Sequence, residues 1–283
     1  MLLELKEVQK HYKDFSLNCS IQVKEGYVTG LIGANGAGKS TTFKAILGLI
    51  QIEGGTIERF GKSQNDFTVQ EKAKIGTVLS EHTFSSMMTI KDVIAVMEAM
   101  YQKFNKKQFL KKCEVYHLPL DKKIKDFSTG MKAKFKLLIA MSYEAKLLIL
   151  DEPTVGLDSV TRNELLDEIR EYMCQEGRAI LISSHISSDL EGLCDDLYFM
   201  QEGKILFYEE TDRILSNYAI LKVSEEQYQK IDKTYLWYQK KTTYGYELLT
   251  KERQYYQENY PNITIEKGNI DDIVSFIRKG ETI

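Results

Sequence analysis

The sequence predicts an α/β fold, in which a mostly parallel sheet carries flanking helices and a small α+β unit follows it. Three apolar runs have the length of buried strands, at residues 27–33, 145–153 and 178–185, and helix-like stretches lie among them. Neighbouring parallel strands need crossover helices, because a tight turn cannot connect them. With 283 residues, of which 43% are hydrophobic, the chain also has enough apolar surface for a large core.

The helices are predicted from their ends and from apolar spacing. One follows the first strand directly, as KSTTFKAILGLI, and another spans 159–177 and is closed by Gly177. Between about 84 and 140 the pattern is mainly helical, and Thr89 with Asp92 resembles a capping box. We therefore expect a first domain over residues 1–215 that contains a helical insert at about 84–140.

Residues 216–283 differ in composition and are predicted to form an accessory α+β domain. Their segment KTYLWYQKKTTYGYELL (233–249) reads as a hairpin. Tyr235, Trp237, Tyr244 and Tyr246 fit two interpretations, the core of this small domain or a platform for stacking nucleic-acid bases. The period-2 spacing and a formal net charge of −3 favour the core, so no nucleic-acid partner is expected.

Composition argues against several other classes of protein. The four cysteines stand far apart without a CxxC pair, which predicts reduced thiols in a cytosolic protein (Cys19, Cys113, Cys174 and Cys194). The N-terminal residues are charged, unlike a signal peptide, and no apolar run approaches the ~20 residues of a membrane span. We expect a soluble protein whose membrane role comes through a partner.

The segment GANGAGKST fits the phosphate-binding pattern G-x-x-x-x-G-K-[ST] and lies between a predicted strand and a predicted helix. Glycines let the backbone wrap around phosphate oxygens with its N–H groups pointing inward. Lys39 is expected to reach the β- and γ-phosphates, and the Ser40 hydroxyl to ligate Mg²⁺. The predicted nucleotide-binding residues are Gly33, Ala34, Asn35, Gly36, Ala37, Gly38, Lys39, Ser40 and Thr41.

Three further polar side chains follow buried strands, at the sheet edge where ligands bind. Asp151 ends the strand in LLILDEPT and is predicted to complete the Mg²⁺ site. Glu152, one residue later, would position and deprotonate the attacking water. His185 ends the next apolar strand, in SSH, from where it would reach the γ-phosphate.

The stretch DFSTGMKAKF opens another predicted helix, with Ser128 as its N-cap. A helix start of this kind is also an anion site, because its N–H groups and dipole favour negative charge. The stretch holds no nucleophile, metal ligand or acid–base pair of its own. It is therefore either simply a capped helix or one half of a site whose other half lies elsewhere.

Together and in this order, these motifs resemble the ATP-binding cassette superfamily, the ATPase subunits of ABC transporters. GANGAGKST resembles Walker A, FSTGM the signature motif, LLILDEPT Walker B, VGLD the D-loop and SSH the switch histidine. The resemblance spans about residues 2–210 and implies a P-loop NTPase fold that includes an antiparallel N-terminal sheet. It implies ATP and Mg²⁺ as cofactors and Glu152, His185 and Lys39 as the catalytic set. Tyr12, in VQKHY, matches the aromatic residue that stacks on adenine.

The resemblance also implies an assembly. Two cassettes, identical or different, pair head to tail, so that each ATP lies between Walker A of one and the signature of the other. Ser128, Thr129, Gly130 and Met131 would then act on the partner's ATP, and Asp158 of the D-loop would communicate across the dimer.

Two positions depart from the family pattern. The signature ends in Met131 where glutamine is usual, a variant that also occurs in exporter-type cassettes. The alignment of IGTVLSEHTFSSMMT places Ser80 at the Q-loop glutamine, and Ser80 is too short to reach Mg²⁺ in the same way. The neighbouring Glu81 is the candidate substitute.

The C-terminal segment resembles the appendage of bacterial exporter cassettes that serve drug or antimicrobial-peptide transporters, such as those for phenol-soluble modulins. This implies two membrane permease subunits on separate chains and a peripheral location at the cytoplasmic face of the membrane. The methionines Met87, Met88, Met97 and Met100 fit either helix core or a groove that receives a short permease helix. The alternative function is a soluble ATPase of the same superfamily that acts on ribosomes or nucleic acid.

Overall fold

The computed structural model describes residues 1–63, 66–79 and 84–283. In these residues the strands are β1 (Leu3–Tyr12), β2 (Phe15–Val23), β3 (Val28–Ile32), β4 (Gly54–Arg59), β5 (Ile75–Val78), β6 (Leu147–Asp151), β7 (Ala179–Ser184), β8 (Asp196–Gln201), β9 (Lys204–Glu210), β10 (Ala219–Val223), β11 (Leu236–Thr242), β12 (Gly245–Thr250), β13 (Thr264–Lys267) and β14 (Glu281–Thr282). The α-helices are α1 (Lys39–Ile46), α2 (Val69–Lys72), α3 (Ile90–Met100), α4 (Lys106–Val115), α5 (Thr129–Met141), α6 (Ser159–Met173), α7 (Ser187–Glu191), α8 (Thr211–Asn217), α9 (Glu225–Lys230), α10 (Arg253–Asn259) and α11 (Ile270–Lys279).

The larger sheet has the strand order β4-β1-β2-β9-β8-β3-β7-β6-β5. β3 is parallel to β7 and β8, and β6 is parallel to β5 and β7. β1 is antiparallel to β2 and β4, and this part joins the rest through a parallel pair, Asn18 with Lys204. The predicted α/β class is confirmed, with the antiparallel N-terminal strands continuous with the parallel ones.

The central strands are buried on both faces, which explains their unbroken apolar runs. Alternate residues of β6 serve opposite cores: Leu147 packs into the cluster around Phe43 of α1, and Leu148 into the cluster around Phe135 of α5. Each fully buried leucine stabilises the fold by roughly 2 kcal/mol. The parallel strands are thereby packed between two cores, one that includes α5 and one formed by α1 with β1 and β2, and their carboxyl edge stays free to hold a site.

The insert is helical, as predicted, and Thr89 and Asp92 form the expected capping box at the start of α3. α5 lies close to β5 because Gly76 has no side chain: a Cβ there would lie 2.3 Å from the Ala140 carbonyl oxygen. α6 ends at Met173, before the predicted Gly177, which instead lies in the following turn with φ +77°. Within the described ranges, no helix is long and apolar enough to cross a membrane.

The C-terminal residues form a second sheet with the order β13-β10-β12-β11-β14. The predicted hairpin is the β11–β12 pair. Trp237 packs edge-on against Phe207 of β9, with ring centroids 4.9 Å apart, and Tyr246 stacks on Tyr228 at 3.9 Å. Tyr244, at the hairpin turn, is 91% exposed and Tyr235 is 45% exposed, so their assignment to the core was wrong. The division at residues 215 and 216 stays a prediction.

Candidate active site

The loop between β3 and α1 has the geometry of a phosphate cradle. Gly36 and Gly38 have φ values of +81° and +115°, which glycine adopts without a steric cost. Gly33 is confined by a neighbour, since a Cβ there would lie 2.5 Å from the Met200 carbonyl oxygen. α1 begins at Lys39, so its free N–H groups and positive dipole end lie at this loop.

Lys39 connects this loop to the strand that carries the predicted carboxylates. Lys39 is only 6% exposed, and its Nζ donates to the Gly33 carbonyl oxygen at 2.7 Å. The same Nζ lies 3.3 Å from Glu152 Oε1. A buried ammonium group needs such partners, because desolvation of an unpaired charge is costly. The lysine is therefore held at the head of the cradle.

Asp151 is 4% exposed and is held by two hydroxyl groups. Ser40 Oγ donates to its Oδ2 at 2.7 Å, and Ser183 Oγ donates to its Oδ1 at 2.7 Å. The β6–β7 register places Ser183 directly across from Asp151. Sequence reasoning missed Ser183, although its place in SSH, two residues before His185, was a usable signal.

Glu152 has a left-handed backbone, with φ +52°, which costs a non-glycine residue about 1–3 kcal/mol. Its N–H donates to the Ser183 carbonyl oxygen and lies 3.1 Å from Ser183 Oγ. Its Oε2 lies 2.6 Å from His185 Nδ1 and also accepts from the His185 N–H at 3.1 Å. The left-handed backbone of Glu152 thus directs its carboxylate towards His185 and Lys39.

These residues surround an open cleft of about 520 Å³. Its lining comprises Asp14, Phe15, Ala34, Asn35, Gly36, Ala37, Gly38, Lys39, Ser40, Thr41, Asp151 and Glu152. Gly33 instead lines a neighbouring cavity behind the loop. The fold therefore brings together most of the predicted nucleotide-binding residues and both predicted carboxylates, whose roles stay predictions.

The aromatic side chain at this cleft is Phe15, which sequence reasoning missed. A Cβ added to Gly38 would lie 3.0 Å from Phe15 Cζ, so the ring sits against the cradle. Tyr12 does not line the cleft; it is 46% exposed, and its ring centroid is 6.3 Å from that of Phe15. The predicted adenine contact of Tyr12 stays a prediction.

The signature stretch lies at the start of α5, away from this cleft. Ser128 is the N-cap, and its Oγ accepts from the Met131 N–H at 3.2 Å. Ser128 and Thr129 are exposed, while Met131 packs partly against the core. None of residues 128–131 lines the cleft that contains Lys39. The polar end of α5 therefore faces outward.

Asp158, the predicted D-loop residue, is the N-cap of α6. It accepts from the N–H groups of Val160 and Thr161, each at 3.0 Å, and these donors, Thr161 foremost, lower the pKa of its carboxyl. Thr161 also lies beside the signature, because a Cβ on Gly130 would be 3.0 Å from Thr161 Cγ2. The D-loop and the signature are thus neighbours in one chain.

A buried carboxylate that sequence reasoning missed connects three of these segments. Asp189 of α7 is 1% exposed and accepts from Thr154 Oγ1 at 2.6 Å. It also forms an ion pair with Arg162 of α6, whose guanidinium donates to Ser188 Oγ at 2.6 Å. Thr154 follows Walker B, and Arg162 follows the D-loop residue. The Asp189 side chain therefore connects both of these segments to the helix that follows His185.

The predicted Q-loop residues, Ser80 and Glu81, lie outside the described residues. Of the nearby methionines, Met97 is 1% exposed and Met88 packs against the core, whereas Met87 and Met100 are 53% and 68% exposed. Met88 and Met97 therefore belong to the core, and for Met87 and Met100 the groove interpretation stays a prediction. A cavity of about 200 Å³ lies close by, lined by Phe84, Ser86, Ile124, Lys125, Lys132, Phe135 and Lys136.

Known proteins resemble this chain in sequence and in fold. The sequence profile of the ABC transporter family matches residues 17–155. The lantibiotic transport ATP-binding protein SrtF of Streptococcus pyogenes is 35% identical over 223 residues, covering 75% of this chain and 92% of SrtF. The bacitracin transport ATP-binding protein BcrA of Enterococcus faecalis is 30% identical over 209 residues, covering 72% of this chain and 68% of BcrA.

A solved structure of an ATP-binding subunit of an ABC transporter has the same fold. It is 27% identical to this chain, with a TM-score of 0.67, and the match covers 76% of this chain and 92% of the other. The structural match therefore covers about the same share of this chain as the matches to SrtF and BcrA do.

Proposed function

The chain belongs to the ATP-binding proteins of ABC transporters and is an ATP hydrolase of that family, and from this premise we propose that it powers export of an antimicrobial peptide or drug-like molecule. The membrane path would be formed by two permease subunits on separate chains. This chain would then sit at the cytoplasmic face of the membrane, held there by those subunits.

Four side chains that line one cleft, together with His185, which contacts one of them, support hydrolysis by this chain. Lys39 and Ser40 come from the loop and α1, Asp151 and Glu152 from the end of β6, and His185 from the end of β7. Residues at the carboxyl ends of neighbouring parallel strands lie at the same edge of the sheet. Positioning and charge neutralisation are the main work in phosphoryl transfer, and both are supplied here by fixed groups.

The residues at the head of α1 suit Mg²⁺. Ser40 Oγ and Asp151 Oδ2 are 2.7 Å apart, and both are hard oxygen donors. Mg²⁺ usually takes only one or two protein ligands and fills its other positions with phosphate oxygens and water. We expect Ser40 and Asp151 to hold it, where it would neutralise charge on the phosphates.

Glu152 is the proposed general base. Its carboxylate is anchored by His185 on one oxygen and faces Lys39 with the other, which has no hydrogen-bond donor among the described residues. In this mechanism Lys39 turns to the phosphates, and Glu152 takes a proton from the attacking water. His185 would hold the carboxylate in position and contact the γ-phosphate.

The outward-facing signature supports a head-to-tail dimer. Ser128 and Thr129 are exposed at a helix start and do not line their own cleft, which supports the proposal that they would bind an anion held by another subunit. Gly130 and Met131 would present the adjoining backbone to that ATP. Asp158 adjoins the signature through Thr161 and would transmit closure of one site to the other.

The cavity of about 200 Å³ that Phe84 and Phe135 line is the proposed docking site for a permease helix. Its floor is aromatic, with Phe84 and Phe135, and lysines form its rim. Met87, next to Ser86 of its lining, exposes adaptable apolar surface, which suits a helix in a groove. The lysines favour a permease helix that carries acidic side chains. A peptide cargo is proposed because SrtF and BcrA are transport proteins for a lantibiotic and for bacitracin.

The test is Glu152→Gln in the full-length chain with ATP and Mg²⁺. We expect hydrolysis to fall at least about 100-fold, because the glutamine cannot accept a proton, while ATP binding is retained. An ATP-dependent dimer should then accumulate in size-exclusion chromatography. Glu176→Gln, at an exposed residue after α6, is the control and should behave as wild type. Hydrolysis by Glu152→Gln near the wild-type rate would disprove the general-base assignment.

A further inference from the structure

α7 begins two residues after His185, and its polar side chains are engaged on two opposite sides. On one side Asp189 accepts from Thr154 and pairs with Arg162, as described above. This side connects α7 to Walker B and to the D-loop helix. The other side connects it to the C-terminal helix, which no motif of the cassette accounts for.

Two hydrogen bonds join α7 to α11. Ser187 Oγ donates to Asp271 Oδ1, and the Ile270 N–H donates to Glu191 Oε1 at 3.0 Å. Ser187 is 7% exposed, so water has little access to replace the carboxylate as its partner. The two bonds hold both ends of a five-residue helix, which Asp189 and the buried Leu190 anchor on its other side.

α11 is itself firmly anchored. Asn269 and Asp272 form a capping box at its start. Ile270, Ile273 and Phe276 are at most 1% exposed and belong to the same core cluster as β6 and α5. Asp271 therefore projects from a rigid element onto α7.

The segment between α7 and the catalytic pair is short and internally bonded. The Ile186 N–H donates to Ser184 Oγ at 3.0 Å, which fixes the turn around His185. His185 in turn contacts Glu152 through its ring and its backbone. A shift of α7 would therefore move His185 against the Glu152 carboxylate, since Ile186 alone separates His185 from the start of α7.

We propose that Asp271 is a positioning residue for ATP hydrolysis, through which the C-terminal domain holds α7, and with it His185, in register with Glu152. The inference rests on the proposed roles of Glu152 and His185. It gives the C-terminal domain a place in the catalytic cycle: any partner that moves α11 would change the rate of hydrolysis. Lys39, Ser40 and Asp151 have no contact with α7 in the bonds above, so ATP binding should be spared.

The experiment compares variants of the full-length chain in steady-state ATP hydrolysis with Mg²⁺. Asp271→Ala should lower kcat about ten-fold, the size expected for loss of a charge-assisted hydrogen bond, and change KM for ATP less than about two-fold. Asp271→Asn keeps an acceptor oxygen for Ser187 and should retain a kcat close to wild type. Asp272→Ala weakens the cap of the same helix without touching Ser187, and should lower Tm but not kcat.

A double-mutant cycle with Ser187→Ala completes the test. Both single variants remove the same bond, so the double variant should also lose about ten-fold in kcat, not the hundred-fold of independent effects. Equal loss of kcat in Asp271→Ala and Asp272→Ala would overturn the proposal, as would multiplicative effects in the cycle. Retained hydrolysis in Glu152→Gln would instead refute the proposed base, whatever Asp271 does.

Discussion

The buried ion pair of Arg162 and Asp189 allows a quantitative prediction. Asp189 is 1% exposed, and Arg162→Met leaves its carboxylate with the Thr154 hydroxyl as its remaining side-chain donor among the described residues. Removing one partner of a fully buried pair costs about 3–5 kcal/mol. The Arg162 side chain is 26% exposed, so water compensates in part. We therefore expect the free energy of unfolding to fall by about 3 kcal/mol.

The assay is urea unfolding followed by circular dichroism. The control is Arg170→Met, on the same helix, whose ion pair with Asp167 has side chains that are 48% and 72% exposed. Exposed pairs of this kind contribute about 0.2–1 kcal/mol. Asp189→Asn should recover much of the loss in an Arg162→Met background, because it removes the unpaired charge. If Arg162→Met and Arg170→Met differ by less than about 0.5 kcal/mol, burial is not the source of this pair's strength.

Two predictions concern the phosphate cradle and the signature. Gly33→Ala should weaken ATP binding at least about ten-fold in a nucleotide titration, because its Cβ would lie 2.5 Å from the Met200 carbonyl oxygen and displace the loop. Gly26→Ala, with φ +82° but open space around it, should lower Tm and leave ATP affinity unchanged. Ser128→Arg should keep ATP binding to the monomer and abolish the ATP-dependent dimer; a collapse of monomer affinity would place the signature in its own site.

Much of the fold was predictable, for a local reason. Strands buried on both faces must be continuously apolar, so LLILD and AILISS were recognisable without neighbours. The capping box at Thr89 and the hairpin of β11 and β12 also depend on residues close in sequence. Tyr244 was misplaced because period-2 spacing does not indicate where a hairpin turns, and the turn exposes this ring.

The residues of the site could be predicted from the sequence where a single short segment contains them. The glycine spacing and Lys39 define a cradle by themselves, since backbone N–H groups and a helix start do the binding. Asp151, Glu152 and His185 could be nominated because each ends an apolar strand. Their roles as metal ligand, base and switch stay predictions that the proposed variants test.

Contacts between distant segments could be decided only by the tertiary structure. Phe15 reaches the cradle across the sheet, Ser183 meets Asp151 through the β6–β7 register, and Asp189 pairs with Arg162 across two helices. The bond between Ser187 and Asp271 joins residues 84 positions apart. Periodicity and capping depend on residues that are close in sequence, so sequence patterns predict which side chains lie on one face or at one end of a segment. Which of them meet depends on strand order and helix packing, which the whole chain sets at once.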